Sequence, residues 1–358
     1  MKQDASLWRK LRGTLGMAQH TLRNSLAKAV LPTGSCVVDA RHLYAWQKSP
    51  PQGKGHVETP LPAGASEYLR ADNPRLQELR ARYLAFDPRA TTPFMWTENH
   101  LSASELRYFR GDNAFVWQVR EPGLNEMAYA LSTYYVHAID HLGLLDQLVE
   151  DGQFGVHSFR AMDRLVSRDL LDSICEIYFL ERQLGILSRP ISVLDIGAGY
   201  GRLAHRMSCV AKQLQHYWCA DAFAASTFVC EYYLKHLGIT QASAVPLDVL
   251  ANTIKIGSVE LAINIHSFSE CRLEAIDWWL KFVAAREVRY LMIVPNTGKA
   301  LHTNAGYDFA PLIQQHGYRL LVRESKYQDP QVQAYGINPS QYFLFELNGK
   351  SASAKGRV

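Results

Sequence analysis

No stretch of these 358 residues holds the ~20 consecutive apolar residues that a membrane-spanning helix needs. The first apolar residues are broken by Arg9, Lys10 and Arg12, so no secretory signal peptide is expected either. Cysteine is sparse. Cys36, Cys175, Cys209, Cys219, Cys230 and Cys271 form no C-x-x-C pair and sit mostly in apolar segments. They read as buried thiols of a reducing, cytoplasmic compartment, not as a disulfide framework or a zinc site. The formal net charge is only +4, too small to point to nucleic acid as a partner. Internal repeats and low-complexity tracts are also missing. What remains is a chain with 47% hydrophobic residues, ample for a core, and longer than one average domain.

The little charge there is gathers at one end. Lys2, Arg9, Lys10, Arg12, Arg23 and Lys28 face Asp4 alone, while Leu7, Leu11, Leu15, Ala18, Leu22 and Leu26 recur every three or four residues. That is an amphipathic helix with a basic face, within an arm of residues 1–47. It has two readings: contact with an anionic membrane surface, which would put the protein at the periphery of the inner membrane, or packing on its own domain or on a second subunit of a homo-oligomer. Residues 48–64 are rich in Pro and Gly and read as a linker. Residues 65–160 read as a mainly helical, aromatic-rich cap, with helices over 66–83 and 129–149 and a turn at 111–113 leading into an alternating strand. A further helix is expected within 158–184. Residues 351–358 read as a disordered tail.

The chain is organised around residues 191–210. Ile191, Val193, Leu194 and Ile196 suit a strand buried on both faces of a parallel sheet. Gly197, Gly199 and Gly201 follow, and Leu203, Ala204, Met207 and Val210 then fall at helical spacing. A strand, a glycine turn and a helix start form a nucleotide- and anion-binding corner. A dinucleotide fingerprint needs a glycine at position 202, where this chain has Arg202. Further βα units follow: a second strand over 216–220 ending at Asp221, a third over 242–247 ending at Asp248, a fourth over 259–265, a helix over 272–285 and a fifth strand over 289–294. Segments 318–324 and 341–346 would close the sheet as an antiparallel hairpin. An acid about 20 residues past the glycines, here Asp221, can take both ribose hydroxyls. Asp248 is placed for an adenine amino group, or alternatively as the N-cap of the next helix.

The string Asp-Ile-Gly-Ala-Gly-Tyr-Gly (195–201) resembles the first motif of class I S-adenosylmethionine (SAM) methyltransferases. Read together, SRDLLDSICEIYFLER (167–182), LDIGAGYGRLAHRM (194–207), INIHSFSEC (263–271) and VPN (294–296), with EYLRADNPRLQELRARY (67–83) in the cap, resemble a bacterial sugar O-methyltransferase family over most of residues 65–350. The resemblance implies a Rossmann-like α/β domain with a seven-stranded sheet over 161–350, SAM as cofactor and a sugar or glycan hydroxyl as acceptor. It also implies that the glycine turn, Gly197, Ala198, Gly199 and Gly201, passes under the methionine part of SAM, with Asp195 orienting its ammonium group. Asn264 is placed with these cofactor residues. A small-molecule acceptor other than a sugar, and a scaffold without catalysis, are the competing readings.

A sugar hydroxyl is a poor nucleophile and benefits from a base. His266, just past the fourth strand, is the candidate, with Glu270 to orient it; the alternative is that His266 only caps a helix. Arg168, Asp172 and Glu176 lie at i, i+4 and i+8, either as an ion-pair ladder or with Arg168 on the SAM carboxylate. His137, Asp140 and His141 share a helix face, but no third and fourth ligand is evident, so a metal site is not indicated. Arg110, Asn113, Trp117 and Tyr135 in the cap, with Asn296 and His302 after the fifth strand, are the candidates for holding the acceptor.

Overall fold

The computed structural model describes residues 60–91, 106–111, 126–161, 164–296 and 300–348. The chain divides into two compact units, Met1–Pro51 and Gln52–Val358, and all described residues belong to the second. The basic helix, most of the linker, the tail, Asn113 and Trp117 lie outside the described residues.

Seven strands form one sheet: β1 Ile191–Ile196, β2 Leu214–Ala220, β3 Ala242–Ala244, β4 Leu261–Ile265, β5 Tyr290–Val294, β6 Tyr318–Ser325 and β7 Gln341–Leu347. Their spatial order is β3-β2-β1-β4-β5-β7-β6. β1 pairs in parallel with both β2 and β4, β4 with β5, and only β7 runs antiparallel to its neighbours β5 and β6. This is the expected seven-stranded Rossmann-like α/β arrangement, with the terminal hairpin inserted at one edge. The principal helices are α1 Pro74–Leu84, α2 Glu126–Ile139, α3 Arg168–Leu184, α4 Arg202–Val210, α5 Ala224–His236, α6 Leu247–Thr253 and α7 Leu273–Ala285.

Strand periodicity divides the core. Leu194, Ile196, Ala262, Leu291, Ile293, Phe343 and Phe345 pack with Phe228 and Val229 of α5 and Ile276, Leu280 and Val283 of α7. Val193, Ile263, Met292, Val294 and Leu344 point the other way, onto Leu170, Ile174 and Ile177 of α3 and Leu203 and Met207 of α4. The segments before residue 160 have no core of their own among the described residues. Leu76, Leu79, Tyr83, Phe109 and Phe154 join the first layer, and Tyr129, Val136 and Leu144 the second. Because α1 lies over α5, Arg75 pairs with Glu231 and Tyr83 Oη meets Thr227 Oγ1 at 2.7 Å.

Local chemistry sets the helix ends and explains two departures from the sequence reading. The Asn73 side chain accepts from Arg75 N, so α1 starts at Pro74 and the expected 66–83 helix is two pieces. Asp140 accepts from the N–H groups of Leu144 and Leu145 and thereby caps a new turn, so α2 stops at Ile139 instead of running to 149. A hairpin, Ser158–Ala161 against Arg164–Ser167, precedes the helix expected within 158–184. Ser167 then accepts from Leu170 N and starts α3.

Candidate cofactor and acceptor site

The site lies at the carboxyl ends of β1, β2 and β4. Gly197, Gly199 and Gly201 all have positive φ, which lets the chain turn sharply from β1 into α4. Space decides the choice at Gly197: a Cβ there would lie 2.3 Å from Ser267 Cβ and Oγ. The turn is fixed from the next strand. Gly197 N and Ala198 N donate to Ala220 O at 2.8 and 3.2 Å, and Gly199 N donates to Asp221 Oδ2 at 3.0 Å. Asp221 Oδ1 accepts from Phe223 N at 2.9 Å. Two of the roughly four acceptor sites of this carboxylate are therefore in use, which leaves two for a ribose diol. Burial raises Asp221 to about 6.

Asp195 is 4% exposed and accepts from Tyr217 Oη at 2.8 Å. Burial raises it to about 7, against the pull of that hydrogen bond and of Arg202. A buried carboxylate raised this far is the group a ligand ammonium would relieve, so the corner fits an α-amino acid end. Arg202 itself clamps Glu176 through both Nη atoms, at 2.9 Å each.

Other expected residues have different work. Asn264 is buried; its Nδ2 donates to Ile196 O at 2.8 Å and its Oδ1 accepts from Phe268 N at 2.9 Å. It braces β4 against β1 and is no cofactor ligand. Asp248 lies inside α6, capped by Pro246, and pairs with Arg82 at 2.8 and 2.9 Å, so it neither caps the helix nor stands free for adenine. Arg110 is fully buried among Glu150, Asp151 and Asp169, which removes it from the acceptor candidates. Tyr135 Oη accepts from Gln328 N, and its ring meets Tyr327 edge-on. His302 pairs with Asp308 across a β-bridge. Asp140 bonds Tyr178 Oη besides its two N–H groups, and His141 Nδ1 lies 3.0 Å from Ile139 O. Among the described residues no group of three His, Cys, Asp or Glu could hold a metal ion, and no helix is long and apolar enough to cross a membrane.

His266 takes φ +67° directly after β4, a costly conformation for a side-chain-bearing residue. Burial, then the charges of Arg168, Arg202 and Lys326 outweighing Asp172, push it down to about 3. A ring that holds a proton so weakly is a poor general base. Glu270 does not serve as its expected orienting partner; Asn296 Nδ2 donates to Glu270 Oε1 at 2.9 Å. The groups around His266 are Asn338, whose Nδ2 is 3.4 Å from His266 Nε2, and the buried cluster of Arg168, Asp172 and Lys326. Arg168 Nε bonds Asp172 Oδ2 at 3.1 Å, so the first rung of the expected ladder exists, but Glu176 is taken by Arg202. Lys326 and Asn338 escaped the sequence reading. Their one signal is length: residues 326–340 join two hairpin strands that a short turn could connect.

No family model matches the chain, and no curated protein matches it by sequence. Among solved structures, a SAM-dependent methyltransferase from Aquifex aeolicus is similar at 14% identity over 49% of this chain and 89% of that one, with a TM-score of 0.38. A SAM-dependent methyltransferase from Clostridium acetobutylicum is similar at 11% identity over 49% and 91%, with a TM-score of 0.37. The cyclase SpnF is similar at 10% identity over 62% and 94%, with a TM-score of 0.39. At these values the cofactor and the reaction have to be argued from this chain's own residues.

Proposed function

We propose that the chain is a SAM-dependent O-methyltransferase acting on a hydroxyl of a sugar or glycan precursor. The observation that carries this reading is the corner at the end of β1. There a glycine turn too tight for any side chain at Gly197 is tied to Asp221, beside the buried, proton-hungry Asp195. Asp195 would compensate the ammonium of the methionine end, and Asp221 would take ribose hydroxyls. Bound there, SAM would supply an electrophilic methyl on a sulfonium.

The chain's own residues then have to position an oxygen and remove its proton. In-line displacement requires that oxygen ~3 Å from the methyl carbon, opposite the leaving sulfur. Glu270, steadied by Asn296, is the carboxylate past the end of β4 that we assign to the proton, in place of His266. Glu270 and Asn296, past β4 and β5, with Asn338 of the β6–β7 connection, are polar groups that suit hydroxyl-rich acceptors better than apolar ones.

Calorimetry with S-adenosylhomocysteine tests the cofactor; absence of binding overturns it. Labelled methyl from SAM, offered to cell extracts with the protein, tests the acceptor. Label in a periodate-sensitive carbohydrate fraction supports the sugar. Label only in aromatic or acidic metabolites keeps the reaction class and overturns the sugar.

A further inference from the structure

The glycine turn is held from two sides. Ala220 and Asp221 hold it from the end of β2. On the other side stands Tyr200, between Gly199 and Gly201, with its side chain buried. Its Oη donates to Asp169 Oδ2, on the first turn of α3. Asp169 also faces the cap, since Arg110 Nε lies 3.6 Å from the same Oδ2. The rings make the same connection. Tyr200 packs on Phe109 at 5.5 Å between centroids, and the Arg110 guanidinium stands 5.9 Å from the centre of the Tyr200 ring.

Arg110 carries the connection away from the turn. Its Nη2 donates to both oxygens of Glu150 at 2.8 and 2.9 Å, and its Nη1 to Asp151 at 2.7 Å. Its backbone N donates to Phe154 O at 3.1 Å. Glu150 accepts in turn from Arg206 Nη2 at 3.2 Å, on the helix that the turn opens. Arg110 and Arg206 offset Glu150 and Asp169, and all four are at most 4% exposed. Removing any one of them strands a buried charge. Segments 106–111 and 150–154 are thus docked on the cofactor turn by ion pairs as well as by apolar packing.

A turn built on three positive-φ glycines has little stiffness of its own, so its outside contacts decide its shape. We propose that Asp169 is a positioning residue for the cofactor turn. By accepting from Tyr200 and pairing with Arg110, it links binding at the turn to the docking of segments 106–111 and 150–154. This deepens the cofactor reading above and rests on it. Linkage is reciprocal. A ligand that settles the turn must tighten those two segments by the same factor by which their docking favours the ligand.

The test is calorimetry of the full chain with S-adenosylhomocysteine, together with hydrogen–deuterium exchange in the free and saturated states. In the unaltered protein the ligand should slow exchange in 106–111 and 150–154 as well as in 197–201. Tyr200→Phe keeps the ring and removes only the hydrogen bond to Asp169. It should bind about tenfold more weakly and, once saturated, should no longer slow exchange in 106–111 and 150–154. Asp169→Ala should lose as much affinity, and Asp169→Asn, which still offers an oxygen to Tyr200, should recover most of it. Exchange in β4 and β5 is the control for an intact fold, and Tyr200→Phe decides alone if Asp169→Ala does not fold. Equal affinity in Tyr200→Phe overturns the link and leaves the cofactor reading standing. So does slowing that is confined to the turn in the unaltered protein, or that persists in 106–111 and 150–154 of saturated Tyr200→Phe. No binding of S-adenosylhomocysteine by the unaltered protein overturns both.

Discussion

Gly197 and Asp195 concentrate the demands of the site in two side-chain choices. A Cβ on Gly197 meets Ser267 at 2.3 Å and must be carried at φ +75°. Gly197→Ala should therefore cost ~1–3 kcal/mol from strain and overpacking. Ser267→Gly in the same chain should return the steric part and leave the conformational part, which urea midpoints of the four-member cycle separate. Full additivity would mean that Ser267 is not the obstacle. Asp195 bears on pH. Its folded value of about 7 lies above the unfolded ~3.9, so the folded chain keeps a proton that the unfolded chain gives up. Stability linked to this group is highest below pH ~4 and is lost as pH rises towards 7. Asp195→Asn, which cannot ionise, should match the native protein near pH 4 and exceed it at pH 8, by on the order of 1–3 kcal/mol. Denaturation at the two pH values decides it, and parallel curves would show Asp195 ionised throughout.

At the scale of elements, the connection between β6 and β7 reaches back over α2 and α3. Lys326 pins it: its buried ammonium meets Asp172 on α3 and two carbonyls of the connection itself. Tyr327 Oη bonds Ser132 on α2, and a Cβ at Gly336 would stand 2.8 Å from Ser132 Oγ, so this packing is close. Lys326→Met leaves Asp172 buried with one cationic partner fewer. The expected loss is ~3–5 kcal/mol, with faster proteolysis within residues 328–338. The contact of α1 with α6 is different in kind. Arg82 and Asp248 have side chains 26% and 31% exposed, so Arg82→Ala should cost under ~1 kcal/mol. Equal losses for the two substitutions, read from denaturant midpoints, would contradict this ranking of buried over exposed pairs.

For the whole molecule, the sheet was legible because parallel strands buried on both faces are written as continuous apolar runs; β1, β2, β4 and β5 lie within a few residues of their sequence positions. The glycine corner was legible because its parts are adjacent in the chain. The buried polar network was not, since Asp172 meets Lys326 and Asn338, and Arg110 meets Glu150, across separations that no local pattern records. The helix break after Ile139 was hidden for another reason: Asp140 looks like a surface acid until its two N–H partners are seen. The same network predicts a global response to ligand. Without ligand, Asp195 and Asp221, raised to about 7 and about 6, make the fold less stable as pH climbs from 5 to 8. Ionised, these two carboxylates are the forms that would hold an ammonium and a ribose diol, so S-adenosylhomocysteine should bind more tightly over the same interval. A ligand at a hundred times its Kd adds ~2.7 kcal/mol to unfolding. At one fixed concentration, the rise in Tm should thus be larger at pH 8 than at pH 5, opposite in sign to the trend of the free protein. Scanning calorimetry at the two pH values measures both trends in one experiment. An equal rise at both would detach ligand binding from these acids and move the ammonium site away from the end of β1.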